Sequence, residues 1–221
     1  MKEPYFTMTR LCYITRQALI ALNFIHTLGL IHSDVKPENI LIASYSRARV
    51  KLIDFGSSCF ITDRQSSYIQ SRSYRAPEVI LGLPYDGKID VWSLGCVVAE
   101  MFTGQVTFQN RSVVSMLSRI EAICGPFSRH LIMNGKHSSK FFTPNGLIYE
   151  RMGKGGTGQR LHNDEDIEYE HDTNMTSNEV SDDVGEDWFK IYTPKRTTLA
   201  ERLGFDTDLM ERPRDSLEVR M

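Results

Sequence analysis

Between Ile31 and Ile42 the sequence reads IHSDVKPENILI, which sets an acid, a base, a second acid and an amide side by side: Asp34, Lys36, Glu38 and Asn39. Taken alone, such a cluster is an ordinary polar turn. The same residue types also suit one chemistry. A carboxylate on a loop, Asp34, can accept the proton of an attacking hydroxyl and aim its oxygen. An ammonium beside it, Lys36, can rest on a phosphate as a point charge. Asn39, together with Asp54 in the later IDFGS, carries the hard oxygens that Mg2+ prefers. These groups together suit transfer of a phosphoryl group, which asks a protein for positioning and charge neutralisation rather than covalent help.

Such groups need elements to hold them. Residues 8 to 28 place Leu11, Ile14, Ala18, Leu22 and Ile25 at three- and four-residue steps, the mark of a helix with one apolar stripe, and Gly29 is a natural stop. NILI (39–42) and VKLI (50–53), separated by ASYSRAR, predict a small hairpin that brings Asn39 and Asp54 together from separate strands. From Gly56 to Pro84 the chain is polar and turn-rich, so a long ordered loop is expected. KIDVWSLGCVVAEMFTG (88–104) predicts a helix that is apolar nearly all round and therefore buried. SVVSMLSRIEAICGP (112–126) predicts an amphipathic helix stopped by Gly125 and Pro126.

The tripeptide DFG occurs often by chance, and order is what gives it meaning. H-x-D-x-x-x-x-N (His32, Asp34, Asn39) is followed by D-F-G (Asp54, Phe55, Gly56) and then by A-P-E (Ala76, Pro77, Glu78), the signature set of protein kinases. From about residue 6 to residue 151 the sequence resembles the C-terminal lobe of a eukaryotic protein kinase. More narrowly, DFGSSC (54–59), YIQSRSYRAPEVILGLPYDGKIDVWSLGC (68–96) and FFTPNGLIYER (141–151) resemble the dual-specificity tyrosine-regulated kinases, with a weaker likeness at YTPKRTTLAERL (192–203). The resemblance implies a mainly α fold, a kinase-like C-terminal lobe with a small β-hairpin at the catalytic loop. It implies ATP and Mg2+ as cofactors and serine or threonine of proteins as substrate. Asp34 becomes the catalytic base, Lys36 the phosphate contact, and Asn39 and Asp54 the metal ligands. Leu41 is implied under the adenine, the Glu38 backbone near the ribose, and Asp90 as a brace for the catalytic loop. The family's autophosphorylated tyrosine maps to Tyr68, where a phosphate adds up to about two negative charges. Arg72 and Arg75 lie close enough in sequence to grip it. Ser33 stands where most kinases carry arginine and this family a small residue.

Three segments follow from composition: a core over 1–151, an insert over 152–187 and an incomplete C-terminal part of the lobe over 188–221. The insert opens glycine-rich, and Asp164 to Asp187 is dense in acid with no Lys or Arg, which predicts a solvated or disordered stretch. Gly153, Gly155 and Gly158 spell G-x-G-x-x-G, but no strand and lysine element follows, so a flexible linker is expected there. Few residues precede the first helix, so the N-terminal lobe, with its glycine-rich loop, strand lysine and glutamate, is expected to be absent. The chain then reads as a truncated catalytic domain. The other reading is an inactive lobe that acts only as a binding module. Arg212 in ERP resembles only superficially the arginine that pairs with the A-P-E glutamate.

Bulk properties narrow the partners. Net charge is −2, which gives no basic footprint for nucleic acid. No apolar run reaches the length of a membrane span, and MKEPYFTMTR lacks a signal-peptide core. Cys12, Cys59, Cys96 and Cys124 form no CxxC pair, which argues against a zinc site and for a reducing compartment, cytoplasm or nucleus. Cys59 reads as a small residue in a packed loop. An isolated lobe exposes apolar surface, so poor solubility is expected.

Overall fold

The computed structural model describes residues 6–44, 46–63, 69–152, 177–178 and 188–203. The first helix, α1, runs Met8–Thr27 and is opened by Thr7, whose hydroxyl accepts from the Arg10 N–H. Its apolar stripe, Leu11, Ile14, Ala18, Leu22 and Ile25, is the buried face. Gly29 turns the chain with a φ of 75°, a left-handed conformation that glycine adopts without strain. Strand β1 (Leu30–Ile31) follows, and the polar cluster after it closes on a 3₁₀ turn, Pro37–Asn39.

The hairpin is present as β2 (Ile40–Ser44) and β3 (Arg49–Leu52), with Ile40 opposite Leu52. Only Ile40 of β2 goes inside, while Leu41 and Ile42, which point to opposite faces of the strand, are both exposed. Gln17 on α1 grips the turn end: its amide donates to the Ala48 carbonyl at 2.7 Å and accepts from the Val50 N–H at 3.2 Å. A two-stranded hairpin is marginal by itself, and this support from the helix offsets that weakness.

The stretch expected as one long loop holds three short elements. Strand β4 (Cys59–Phe60) pairs antiparallel with β1, a 3₁₀ turn spans Arg72–Tyr74, and helix α2 spans Pro77–Leu81. Proline at the start of α2 and Gly82 in a left-handed cap at its end punctuate it. Helix α3 (Lys88–Thr103) is central, yet Val91 is exposed while polar Asp90 and Ser93 are buried. The expected all-round apolar burial is thus replaced by a face that carries polar anchors. Helix α4 (Val113–Cys124) is opened by the Ser112 capping box and ends at Gly125. Leu22 of α1, Val97 of α3, Leu117 and Ile120 of α4, Leu81 of α2 and Ile148 share one core.

Helix α5 (Arg129–Asn134) leads to β5 (Ile148–Met152), which pairs antiparallel with β7 (Trp188–Tyr192). Residues 188–192 are therefore joined by backbone to the unit that ends near 151. From the insert, Ser177–Asn178 forms β6 on the outer edge of β7; Gly153, Gly155, Gly158 and the remaining acidic residues lie outside the described residues. Helix α6 (Leu199–Arg202) follows, anchored where the Thr197 N–H reaches the Ala122 carbonyl of α4. Arg212 also lies outside the described residues. No helix among the described residues is long and apolar enough to cross a membrane.

Candidate active site

The loop after β1 hangs from one buried carboxylate. Asp90, in the first turn of α3, is fully buried and accepts the His32 N–H at 2.8 Å and the Ser33 N–H at 2.9 Å. His26, near the end of α1, meets the same carboxylate through Nε2 at 2.8 Å. A buried charge is tolerated only when such donors replace water. Ser33 takes a φ of 65°, so the chain turns sharply just before Asp34. The His32 ring lies between both halves of the site. Its Nε2 is 3.0 Å from the Ile53 carbonyl, which assigns the proton there and leaves Nδ1 to accept the Asp34 N–H at 3.3 Å. Phe55 packs on the same ring with centroids 5.0 Å apart.

Asp34 sits in a ring of donors. Lys36 Nζ lies 2.7 Å from Oδ2, the Ser71 hydroxyl donates to Oδ1 at 2.7 Å, and Asn39 Nδ2 reaches Oδ2 at 3.1 Å. Burial pushes the Asp34 carboxyl up, but the Lys36 ammonium, the Ser71 hydroxyl and the Asn39 amide outweigh it and hold the group below its ordinary value of 3.8. Lys36 is raised in turn, chiefly by its bond to Asp34. Lys36 also donates to Ser71 at 3.3 Å, so the three side chains form a closed triangle.

Asn39 is buried at the start of the hairpin. Its Nδ2 also donates to the Asp34 carbonyl at 2.8 Å, so both amide hydrogens face Asp34 and the amide oxygen is left outside those bonds. The Ile53 N–H pairs with the Asn39 carbonyl at 2.9 Å, which sets Asp54 one residue beyond the hairpin's open end. Asp54 is exposed, has a φ of 62° and accepts the Gly56 N–H at 3.2 Å. A Cβ on Gly56 would stand 3.2 Å from that carboxylate, so the glycine allows the close turn. Glu38 and Leu41 are both exposed. Among the described residues no His, Cys, Asp or Glu cluster could hold a metal by itself.

Tyr68 lies outside the described residues, so its neighbours are not placed. Arg72 opens the 3₁₀ turn. Arg75 is buried, and its guanidinium donates to the Ile69 and Gln70 carbonyls at 2.9 Å each. It therefore holds the backbone just after Tyr68. The sequence reasoning did not single out Ser71, Gln70 or His26. Ser71 and His26 meet partners far along the chain, and nothing in their local sequence marks those partners. Cys59 is partly buried with its sulfur 3.7 Å from the Ser33 hydroxyl.

A loop hung from a buried helix carboxylate, with an acid, a lysine and an amide converging beside a hairpin, is the layout of a protein kinase site. The model of the protein kinase domain family matches residues 2–180, and the chain belongs to that family. Among curated relatives, the serine/threonine-protein kinase ppk5 of Schizosaccharomyces pombe is 46% identical over 130 residues, 59% of this chain and 16% of the relative. The DYRK-family kinase pom1 of the same yeast is 47% identical over 147 residues, 66% of this chain and 14% of its own length. The dual specificity protein kinase lkh1, again from that yeast, is 38% identical over 161 residues, 65% of this chain and 23% of its own. The chain thus spans less than a quarter of these relatives.

Proposed function

We propose that this chain carries the catalytic lobe of a protein kinase that moves the γ-phosphoryl group of ATP to serine or threonine of proteins. In this reading residues 1–151 form the core of that lobe. The observation that carries the reading is the triangle of Asp34, Lys36 and Ser71. The substrate hydroxyl loses its proton to an Asp34 oxygen as its own oxygen bonds to the γ-phosphorus. The bond from that phosphorus to the bridging oxygen breaks, and ADP departs. Because Asp34 is held below the ordinary carboxylate range, it is ionised and ready to accept at neutral pH. Lys36 stays charged and offers its ammonium to the transferring phosphate.

Two hard oxygens, the Asn39 amide and the Asp54 carboxylate, suit Mg2+, which keeps waters and takes the rest of its ligands from phosphates. When bound it would neutralise phosphate charge. Leu41, exposed on β2, suits the adenine face, and the Glu38 backbone the ribose. Tyr68 is proposed as a site of autophosphorylation, with Arg72 and Arg75 following it within the same segment. Four unpaired thiols suit a reducing compartment, cytoplasm or nucleus. One observation favours the alternative, an inactive lobe that only binds partners: Ile20, Phe24 and Leu28 of α1 and its C-terminal end are all more than half exposed.

The test incubates the purified chain with Mg-ATP and a general serine/threonine substrate and locates phosphate by mass spectrometry. Asp34→Asn is run in parallel. We expect phosphate on the substrate and on Tyr68, reduced by about 10²- to 10⁴-fold in Asp34→Asn. Equal labelling of both proteins, or none of either, overturns the catalytic reading for this chain and favours the binding one.

A further inference from the structure

Gln70 stands one residue before Ser71, and its polar atoms are all engaged. Its N–H donates to the Ser33 carbonyl at 3.0 Å, and its carbonyl accepts from Arg75 at 2.9 Å. Its side-chain oxygen accepts the Ala76 N–H at 2.9 Å. Its side-chain nitrogen donates to the Ile89 carbonyl at 2.9 Å and to the Ser93 hydroxyl at 2.8 Å. Ser93 passes the chain on to the Tyr74 carbonyl at 2.7 Å. The residue is buried and takes a φ of 68°, a region that a long side chain enters only when its surroundings hold it there.

We propose that Gln70 is a positioning residue: its buried amide ties the segment around it to α3 and thereby keeps the Ser71 hydroxyl on the Asp34 carboxylate. This rests on the reading of Asp34 as the base for phosphoryl transfer. Only a carboxamide supplies two donors and an acceptor from one side chain of this length. Glutamate keeps the acceptor for Ala76 but loses both donors to α3. Leucine keeps the volume and loses all three bonds. The tie also runs the other way, since the Gln70 N–H holds the Ser33 carbonyl, one residue before Asp34.

The test reads the Asp34 carboxyl carbon by NMR in the full chain, labelled at aspartate, at one pH. Variants are Ser71→Ala, Gln70→Leu, Gln70→Glu, the double variant Gln70→Leu/Ser71→Ala, and Ile120→Val as a core control. Ser71→Ala should displace the Asp34 resonance, and both Gln70 variants should displace it in the same direction. The double variant should go no further than Ser71→Ala, and Ile120→Val should leave the signal in place. A folded Gln70→Leu or Gln70→Glu with the wild-type Asp34 resonance overturns the proposal, as does a double variant whose displacement is the sum of the singles. Amide exchange gives a second reading that does not use Asp34. Ala76 should exchange about tenfold faster in Gln70→Leu than in wild type and stay protected in Gln70→Glu. Equal Ala76 protection in all variants also overturns the proposal. Phosphate transfer on the same samples separates the two ideas. A wild-type chain that transfers none, yet shows these displacements, loses the catalytic reading of Asp34 and keeps the Gln70 tie.

Discussion

The catalytic loop and the D-F-G and A-P-E segments that follow it all carry carboxylates, but these are held very differently. In the loop, Asp34 has bonds from Lys36, Ser71 and Asn39, and Asp90 beneath it has bonds from His32, Ser33 and His26. In the flanks, exposed Asp54 accepts the Gly56 N–H, and half-buried Glu78 has no cation paired with it among the described residues. The loop is arranged before any ligand arrives, which lowers the reorganisation needed at the moment of transfer. The flanks carry charge that other groups must complete. An atom that takes a proton benefits from a fixed position, whereas a ligand for a mobile cation needs an open one. The contrast fits the roles proposed for Asp34 and Asp54.

The largest way to break this contrast is Asp90→Ala. It leaves two buried N–H groups, of His32 and Ser33, without an acceptor, and each such orphan costs about 1–3 kcal/mol. A loss of about 3–5 kcal/mol in urea unfolding is expected, the size seen when one member of a buried charged network is removed. A loss below about 1 kcal/mol, the typical surface-to-core average, would show that the loop does not depend on this anchor.

How far the contrast could be seen in the sequence depends on distance along the chain. The α1 stripe was legible because its period is that of the buried face, from Leu11 to Ile25. The hairpin was legible from two apolar runs, but alternation alone could not reveal that Leu41 and Ile42 face outward. Helix α2 was missed because it is five residues long inside a polar stretch, although Pro77 and Gly82 mark both ends. The pairing of β5 with β7 was not legible because the insert separates the strands and neither alternates strongly. At the site, Asp34, Lys36, Asn39 and Asp54 were readable from ordered motifs. Ser71 was not, because its bond to Asp34 spans 37 residues and a serine in a turn-rich stretch carries no signal by itself. Gln70 and His26 are hidden for the same reason: common residue types whose meaning lies in remote partners.

Glu78 gives a smaller test, on the side of the contrast where charge is incomplete. Burial pushes its carboxyl above the ordinary 4.5, and Asp86 adds to the rise. A raised value means that the unfolded chain ionises first as pH increases. Glu78 therefore costs stability as pH rises from about 4.5 through its folded value, and the cost is fully present once both states are ionised. Glu78→Gln should raise the melting temperature at pH 7, a gain of about 1 kcal/mol at most, and the gain should vanish near pH 4. A variant that melts lower than wild type at pH 7 would mean that the carboxylate has a charged partner after all.

The smallest effect on stability is expected at Asp54, and it is the sharpest because it divides stability from chemistry. Asparagine keeps an oxygen for the Gly56 N–H and tolerates a φ of 62°. The residue is exposed, so Asp54→Asn should leave the unfolding midpoint within about 0.5 kcal/mol of wild type. If Asp54 holds the cation as proposed, phosphate transfer should nevertheless fall by about 10²-fold or more, because a neutral amide would replace a charged ligand. Raising Mg2+ should recover part of that loss in Asp54→Asn and none of it in Asp34→Asn, since a base that cannot accept a proton gains nothing from more metal. If stability falls sharply with Asp54→Asn, the open flank is a structural anchor like the loop, and the division of labour between the two carboxylates is wrong.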